Sequence, residues 1–132
     1  MSEALVPDVG PQQIDAVLAH LPILERPGCL FGEWDSAGYF VYSPEVNAFV
    51  AALSAQDLLF VFDWPSWLEE AQRYLSQPEA LEKADLTTLR MLLTTHVRAD
   101  RFTEGHLASV LQSGHITAIL RRLKEIRNQT ES

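Results

Sequence analysis

The sequence predicts a mainly α-helical fold, a compact bundle of about six helices with a minor β-hairpin or short strands; an α+β fold is the alternative. Apolar residues recur every three or four positions over most of the chain. A proline or a capping residue precedes several of these segments, and Gly and Pro separate them. The apolar content of 47% and the charged content of 21% are ordinary for a globular protein.

Prolines mark the first helices. Gly10-Pro11 predicts a helix from about residue 11, because proline is favoured at the first helical position. Ser43-Pro44 predicts another, with Ser43 as its cap, and its apolar face is Val46, Phe49, Val50 and Leu53. Between these helices, residues 30–42 are rich in aromatic side chains around the turn-like residues 35–38, and this pattern indicates a short β-hairpin or an irregular aromatic loop.

The second half of the chain predicts one buried strand and four helices. The run Leu58–Phe62 is either a buried strand or the last turn of a core helix, and its short length and aromatic content favour the strand. The helices are predicted to start near Pro65, after the cap Asp85, after the cap Thr103 and near Ile116, with Gly114 ending the third of them. We expect the last helix to fray from about residue 128.

Length and cysteine content bound the class of protein. A chain of 132 residues fits one domain, so residues 1–132 are expected to form a single unit. The only cysteine, Cys29, cannot form an intrachain disulfide, which fits a reducing compartment. The first residues lack the basic leader and apolar core of a secretory signal, and no apolar run is long enough to cross a bilayer. We therefore expect a soluble, cytoplasmic protein.

The charge is acidic overall but unevenly distributed. A formal net charge of −8 argues against general binding to nucleic acid or to anionic membranes. Residues 1–89 carry a net charge of −11 and residues 90–132 a net charge of +3. We expect the positive part to pack on the negative part; a basic recognition surface is the alternative, and its residues would be Arg121, Arg122, Lys124 and Arg127.

The densest cluster of charge joins two predicted helices. Arg98, Asp100, Arg101 and Glu104 surround Phe102 within seven residues. The interpretation that we favour is structural: the four charged side chains form an ion-pair network at the helix ends, and Phe102 plugs the junction.

The alternative is a binding site in the same segment. His96 and Asp100 are four residues apart, so in a continuing helix the carboxylate would orient the imidazole. Arg98 or Arg101 would bind a phosphate or a carboxylate. The candidate ligand-binding residues are His96, Arg98, Asp100, Arg101, Glu104 and His106.

Metal, cofactor and catalytic signatures are missing from the sequence. His96, His106 and His115 could in principle form a metal site, but their spacings match no helical ligand pair, so we predict none. The sequence has no P-loop, dinucleotide-binding glycine pattern or nucleophilic serine elbow, so we expect no cofactor and assign no catalytic residue.

Several segments resemble a bacterial family of unknown function, DUF6508. They are Phe62-Asp63-Trp64-Pro65-x-Trp67, Ala84-Asp85, Leu93-Thr94-x-x-x-Arg98-x-Asp100-Arg101-Phe102-x-Glu104-Gly105, Gly114-x-Ile116 and Leu120-Arg121-Arg122-Leu123. The similarity covers most of the chain from about Tyr42 onward. It implies a small bacterial intracellular protein and supplies no activity, substrate or catalytic residue.

These observations favour a non-enzymatic interaction or regulatory module that acts through a protein partner or as a homo-oligomer. The alternative is an enzyme or sensor that binds a small anionic molecule, carrying phosphate or carboxylate, at the segment from Arg98 to His106.

Overall fold

The computed structural model describes residues 6–129, and it is mainly α-helical as predicted. Within these residues there are seven α-helices and one antiparallel sheet of two short strands. The helices are α1 (Pro11–Leu18), α2 (Leu21–Leu24), α3 (Pro44–Ala55), α4 (Leu68–Ser76), α5 (Leu86–Ala99), α6 (His106–Gln112) and α7 (His115–Gln129). The strands are β1 (Gly32–Trp34) and β2 (Phe40–Tyr42), and 3₁₀ turns span Pro65–Trp67 and Pro78–Lys83.

The starts of several helices follow the predicted capping chemistry. The Ser43 hydroxyl accepts a hydrogen bond from the Val46 N–H at 3.3 Å, and the Asp85 carboxylate accepts one from the Thr88 N–H at 2.8 Å. Each bond satisfies an amide that the first turn of a helix leaves without a partner. Pro11 begins α1 as predicted. The predicted fraying falls mostly outside the described residues, and α7 continues through Gln129.

The hydrophobic core lies around α7, which packs against α1, α5 and α6. Its largest fully buried apolar side chains come from four helices and one connecting segment. They are Val17, Phe49, Leu53, Leu58, Leu89, Leu92, Leu93, Ile116, Ile119, Leu120 and Leu123. Burying each such side chain contributes about 1.5 to 3 kcal/mol, so this shared core holds the helices together.

Ion pairs join α7 to the first two helices, as the charge distribution predicts. Arg127 binds the Asp15 carboxylate through Nε at 2.9 Å and through Nη2 at 3.0 Å. Arg121 forms an ion pair with Glu25. The positive α7 therefore packs on the acidic N-terminal helices, although exposed pairs of this kind add little to stability.

The predicted strand at Leu58–Phe62 is wrong. This run has no regular secondary structure and pairs with no strand among residues 6–129. Side chains of α5 bind its backbone instead: Thr94 Oγ1 accepts a bond from the Phe60 N–H at 3.4 Å, and Arg90 Nε donates to the Leu58 carbonyl at 3.2 Å. Since these partners lie more than 30 residues away, the local sequence carries no sign of them.

Among residues 6–129, Arg90 is the only buried residue that carries a charge at neutral pH. Its side chain is only 3% exposed, and it also donates to the carbonyls of Pro7 and Asp57, both at 2.7 Å. Asp57 has a φ of +61°, a conformation that a residue other than glycine seldom adopts. The guanidinium thus binds three carbonyls in segments that have no helix or strand of their own.

The predicted cap at Thr103 is also wrong, because α6 begins at His106. Its N-cap is Gly105, which has a φ of +79°. A Cβ atom at that position would lie 3.3 Å from the Trp34 ring, so glycine allows both the turn and the close packing of β1. Gly114 ends α6 in the left-handed conformation, as predicted. Among residues 6–129, no helix is both long and apolar enough to span a bilayer.

Candidate functional site

The six predicted site residues lie where α5 meets α6. His96 and Arg98 are in the last turns of α5, Asp100 is its C-cap, and His106 is the first residue of α6. The structure divides these residues into three groups: two carboxylates that bind the β-hairpin, two arginines that line a groove, and a buried group of histidines.

Asp100 is bound by the hairpin and by α6. Its Oδ1 accepts a hydrogen bond from the Tyr42 hydroxyl at 2.5 Å and another from the Leu107 N–H at 3.0 Å. The Tyr42 oxygen in turn accepts a bond from the Ala108 N–H at 3.1 Å. Burial, together with the bond to Asp100, raises the pKa of Tyr42, so the phenol stays protonated and acts as a donor.

Glu104 binds the same hairpin at Phe40, two residues before Tyr42. Its Oε2 accepts a bond from the Phe40 N–H at 2.8 Å. The Phe40 ring contacts both Trp34 and Tyr42 edge to face, so this bond fixes the position of an aromatic group. The two carboxylates therefore hold β2 against the connection between α5 and α6.

The predicted ion-pair network is wrong. Within residues 6–129 neither Asp100 nor Glu104 forms a salt bridge with Arg98 or Arg101. Their oxygens bind partners on β2, about 60 residues away in sequence. Phe102 does not plug the junction either: it is 80% exposed, and its ring lies 5.9 Å from that of Trp64.

Arg98 and Arg101 line an open groove between α3 and α5. The groove has a volume of about 400 Å³. Neither guanidinium makes a hydrogen bond or a salt bridge to the part of the chain that the structure describes, although Arg98 is half-buried. The other polar lining residues are Tyr42, Asn47, Ser54 and Asp100, and the apolar ones are Val46, Val50, Ala51, Leu59 and Val97.

A compact group of histidine rings lies at this junction and consists of His96, His106 and His115. His96 is 1% exposed and His115 is 5% exposed. His96 Nδ1 lies 3.1 Å from His106 Nε2 in rings inclined at 28°, so one ring donates an N–H to the other. The His115 ring meets that of His96 edge to face at 5.3 Å. The predicted pairing of His96 with Asp100 is wrong, because the Asp100 carboxylate binds Tyr42 and α6.

All three imidazoles are neutral at pH 7. Burial lowers the pKa of His96 to about 3, with repulsion from His115 and His106 adding to the effect. Burial also lowers the pKa of His115 to about 4. The pKa of His106 is lowered by burial and partly restored by the Asp100 charge. Nε2 of His96 and Nε2 of His115 are buried without a hydrogen-bond partner.

Among the described residues, no group of three or more His, Cys, Asp or Glu side chains is arranged to hold a metal ion. Because burial lowers the pKa of all three rings, the histidine group is a neutral polar cluster. Its spacing in sequence gave no sign that the three rings would meet.

A family model described as "Family of unknown function (DUF6508)" matches residues 9–129. The chain belongs to this family. No curated protein and no solved structure matches it. The family match spans the hairpin, the groove and the histidine group, and it confirms the resemblance that the sequence suggested.

Sequence reasoning missed two residues of this region. Tyr42 was assigned only to the aromatic hairpin, yet its hydroxyl holds Asp100. His115 was considered only as a metal ligand, yet it is a buried member of the histidine group. A tyrosine in a half-buried strand needs a partner for its hydroxyl, and this need is the one signal that could have pointed to Tyr42.

Proposed function

We propose that the protein is a non-enzymatic binding module that holds a small anionic molecule in the groove between α3 and α5. One observation carries this proposal: Arg98 and Arg101 line the groove and have no partner among residues 6–129, while the neighbouring carboxylates are bound to β2. Two guanidinium groups side by side on a concave surface are suited to a carboxylate or a phosphate.

The other arginines show how unusual this arrangement is within the chain. Arg73, Arg121 and Arg127 bind carboxylates. Arg122 donates to the Ala84 carbonyl at 2.9 Å, and Arg90 is fully engaged inside the protein. Apart from the groove pair, Arg26 is the only arginine of residues 6–129 whose side chain has no partner, and it is exposed and outside the groove.

The lining of the groove supports binding rather than turnover. Among the described residues, Asp100 is the only carboxylate that lines the groove, and its Oδ1 already accepts two hydrogen bonds. The Tyr42 hydroxyl is held as a donor to Asp100, with a raised pKa. The phenol therefore stays protonated and is not arranged to take up a proton from a bound molecule at neutral pH. The single cysteine and the acidic composition support a cytoplasmic location for this module.

Arginine side-chain NMR tests the proposal directly. Acetate and inorganic phosphate would each be titrated into the labelled protein while the Nε–Hε signals of all arginines are followed. We expect the signals of Arg98 and Arg101 to move with a saturable dependence on anion concentration. Arg26 is the matched control, since it is an unpaired arginine outside the groove. If the signals of Arg98 and Arg101 move no more than that of Arg26, the groove does not bind anions and the proposal fails.

A further inference from the structure

We infer that the ligand of this groove is a monocarboxylate with an apolar body, an inference that rests on the proposed function. Within residues 6–129 the groove combines two guanidinium groups that have no partner with five apolar lining residues, and one carboxylate limits the charge that it accepts.

The charge of the lining favours a monoanion. Arg98 and Arg101 contribute two positive charges, and Asp100 contributes one negative charge. The sum is therefore one positive charge, which a single carboxylate neutralises. A phosphate monoester carries close to two negative charges at neutral pH, so it would meet stronger repulsion from Asp100.

The lining of the groove runs from Asp100 at one end to Leu59 at the other. Asp100 is fixed next to the start of α3 by its bond to Tyr42, the residue just before the Ser43 cap. At the other end, the bond between Phe60 and Thr94 places Leu59 beside an earlier turn of α5. A carboxylate at the arginines would thus direct its body towards Leu59.

The apolar lining is long enough for a short hydrocarbon chain. On α3 the lining runs from Val46 to Ser54, a distance of about 12 Å at the rise of an α-helix. Val50 and Val97 face this space from α3 and α5 and are only half-buried. Contact with an alkyl or aryl body would remove these side chains from water.

Calorimetric titration with a series of carboxylates tests the inference. Acetate, butanoate, hexanoate and octanoate would be titrated into the full chain below their micelle concentrations, with hexanol and hexyl phosphate as probes of matched length. We expect affinity to rise about threefold to fourfold for each added methylene until the groove is filled. We expect hexanol and hexyl phosphate to bind at least tenfold more weakly than hexanoate.

Variants separate the two ends of the proposed site. Arg98→Gln and Arg101→Gln should each weaken hexanoate binding at least tenfold, whereas the control Arg26→Gln should leave it unchanged. Val50→Asn should reduce the gain from added methylenes while leaving acetate binding as it was.

Each other outcome is decisive. Tighter binding of hexyl phosphate than of hexanoate, lost in the Arg98→Gln variant, would overturn the ligand class and leave the proposed function standing. Equal affinity for acetate and octanoate would overturn the apolar body in the same way. If hexanoate still binds to both the Arg98→Gln and the Arg101→Gln variants, its site lies outside the groove. If the Nε–Hε signals of Arg98 and Arg101 also do not move with anion concentration, both the proposed function and the inference about the ligand are overturned.

Discussion

Arg90 and Arg98 lie about two turns apart on α5 and have opposite surroundings. Arg90 is inside the protein, where its guanidinium binds the carbonyls of Pro7, Asp57 and Leu58. Arg98 faces the groove and binds nothing within the described residues. Two arginines on one helix thus have different roles. Arg90 donates to backbone carbonyls inside the protein, and Arg98 is available to bind a ligand in the groove.

The difference follows from which groups need a partner. The segments around Pro7 and Asp57 have no helix or strand to satisfy their carbonyls, so a buried donor is required there. Burial lowers the pKa of Arg90, and nearby Asp57 and Asp8 oppose this effect, so the guanidinium stays charged. No protein group depends on Arg98 in this way. Stability should therefore depend on Arg90, and ligand binding on Arg98.

The largest expected effect comes from removing the buried arginine. Arg90→Met should lower the free energy of unfolding by about 3 kcal/mol or more, because it leaves three carbonyls without their donor. Urea denaturation would measure the change. Arg98→Met is the matched control on the same helix and should change the value by less than about 0.5 kcal/mol. Equal effects of the two substitutions would contradict the comparison.

The histidine group gives the next largest effect, through pH. The unfolded chain takes up protons on His96 and His115 as pH falls below their ordinary pKa of 6.5, while the native rings stay neutral down to about pH 4 at His115 and pH 3 at His96. The unfolded state then binds more protons, so stability falls as pH falls through this window. His115→Gln should reduce the loss between pH 7 and pH 5 by about 2 kcal/mol.

Urea denaturation at several pH values checks this expectation. The parent protein and the His115→Gln variant should show clearly different slopes of unfolding free energy against pH. Parallel curves would mean that His115 is protonated equally in the native and unfolded states, and so that it is not buried as a neutral ring.

A smaller loss is expected at the hairpin. Tyr42→Phe removes the hydroxyl that donates to Asp100 and accepts from the Ala108 N–H, and it should cost about 1 to 2 kcal/mol. Tyr39→Phe is the control, because Tyr39 is 64% exposed. Thermal melting of the two variants would compare them. A Tyr42→Phe variant as stable as the control would show that Asp100 does not depend on the hairpin.

The smallest effect sharpens the contrast between structural and free charges. Arg101→Ala should change the free energy of unfolding by less than about 0.5 kcal/mol, since Arg101 has no partner within residues 6–129. The ion-pair network that the sequence suggested would instead require a loss of about 2 to 4 kcal/mol. A loss of that size in a thermal or urea melt would support the ion-pair network that the sequence predicted.

The sequence predicted those parts of the fold that depend on neighbouring residues. Pro11, Ser43, Asp85 and Gly114 act within one turn of their own positions, and the structure confirms each of them. The hairpin was likewise visible from aromatic residues that flank a short turn. Helix caps and turns depend on consecutive residues, so the sequence alone predicts them.

The wrong strand and the wrong ion-pair network share one physical origin, because each depends on a partner distant in sequence. Leu58–Phe62 resembled a strand, but side chains of α5 satisfy its backbone. Asp100 and Glu104 were expected to neutralise nearby arginines, but β2 offers them a hydroxyl and an N–H. The segment containing the candidate site was found from its charge density. Which of its charges remain free could be decided only by the three-dimensional arrangement.

The bonds from β2 to Asp100 and Glu104 also set an order for synthesis on the ribosome. A two-stranded hairpin by itself is at best marginally stable in water. Here its anchors are residues 100 and 104 and the first amides of α6, which are translated about 60 residues after β2. The hairpin therefore leaves the ribosome long before its anchors exist, and it should become stable only once α6 has emerged.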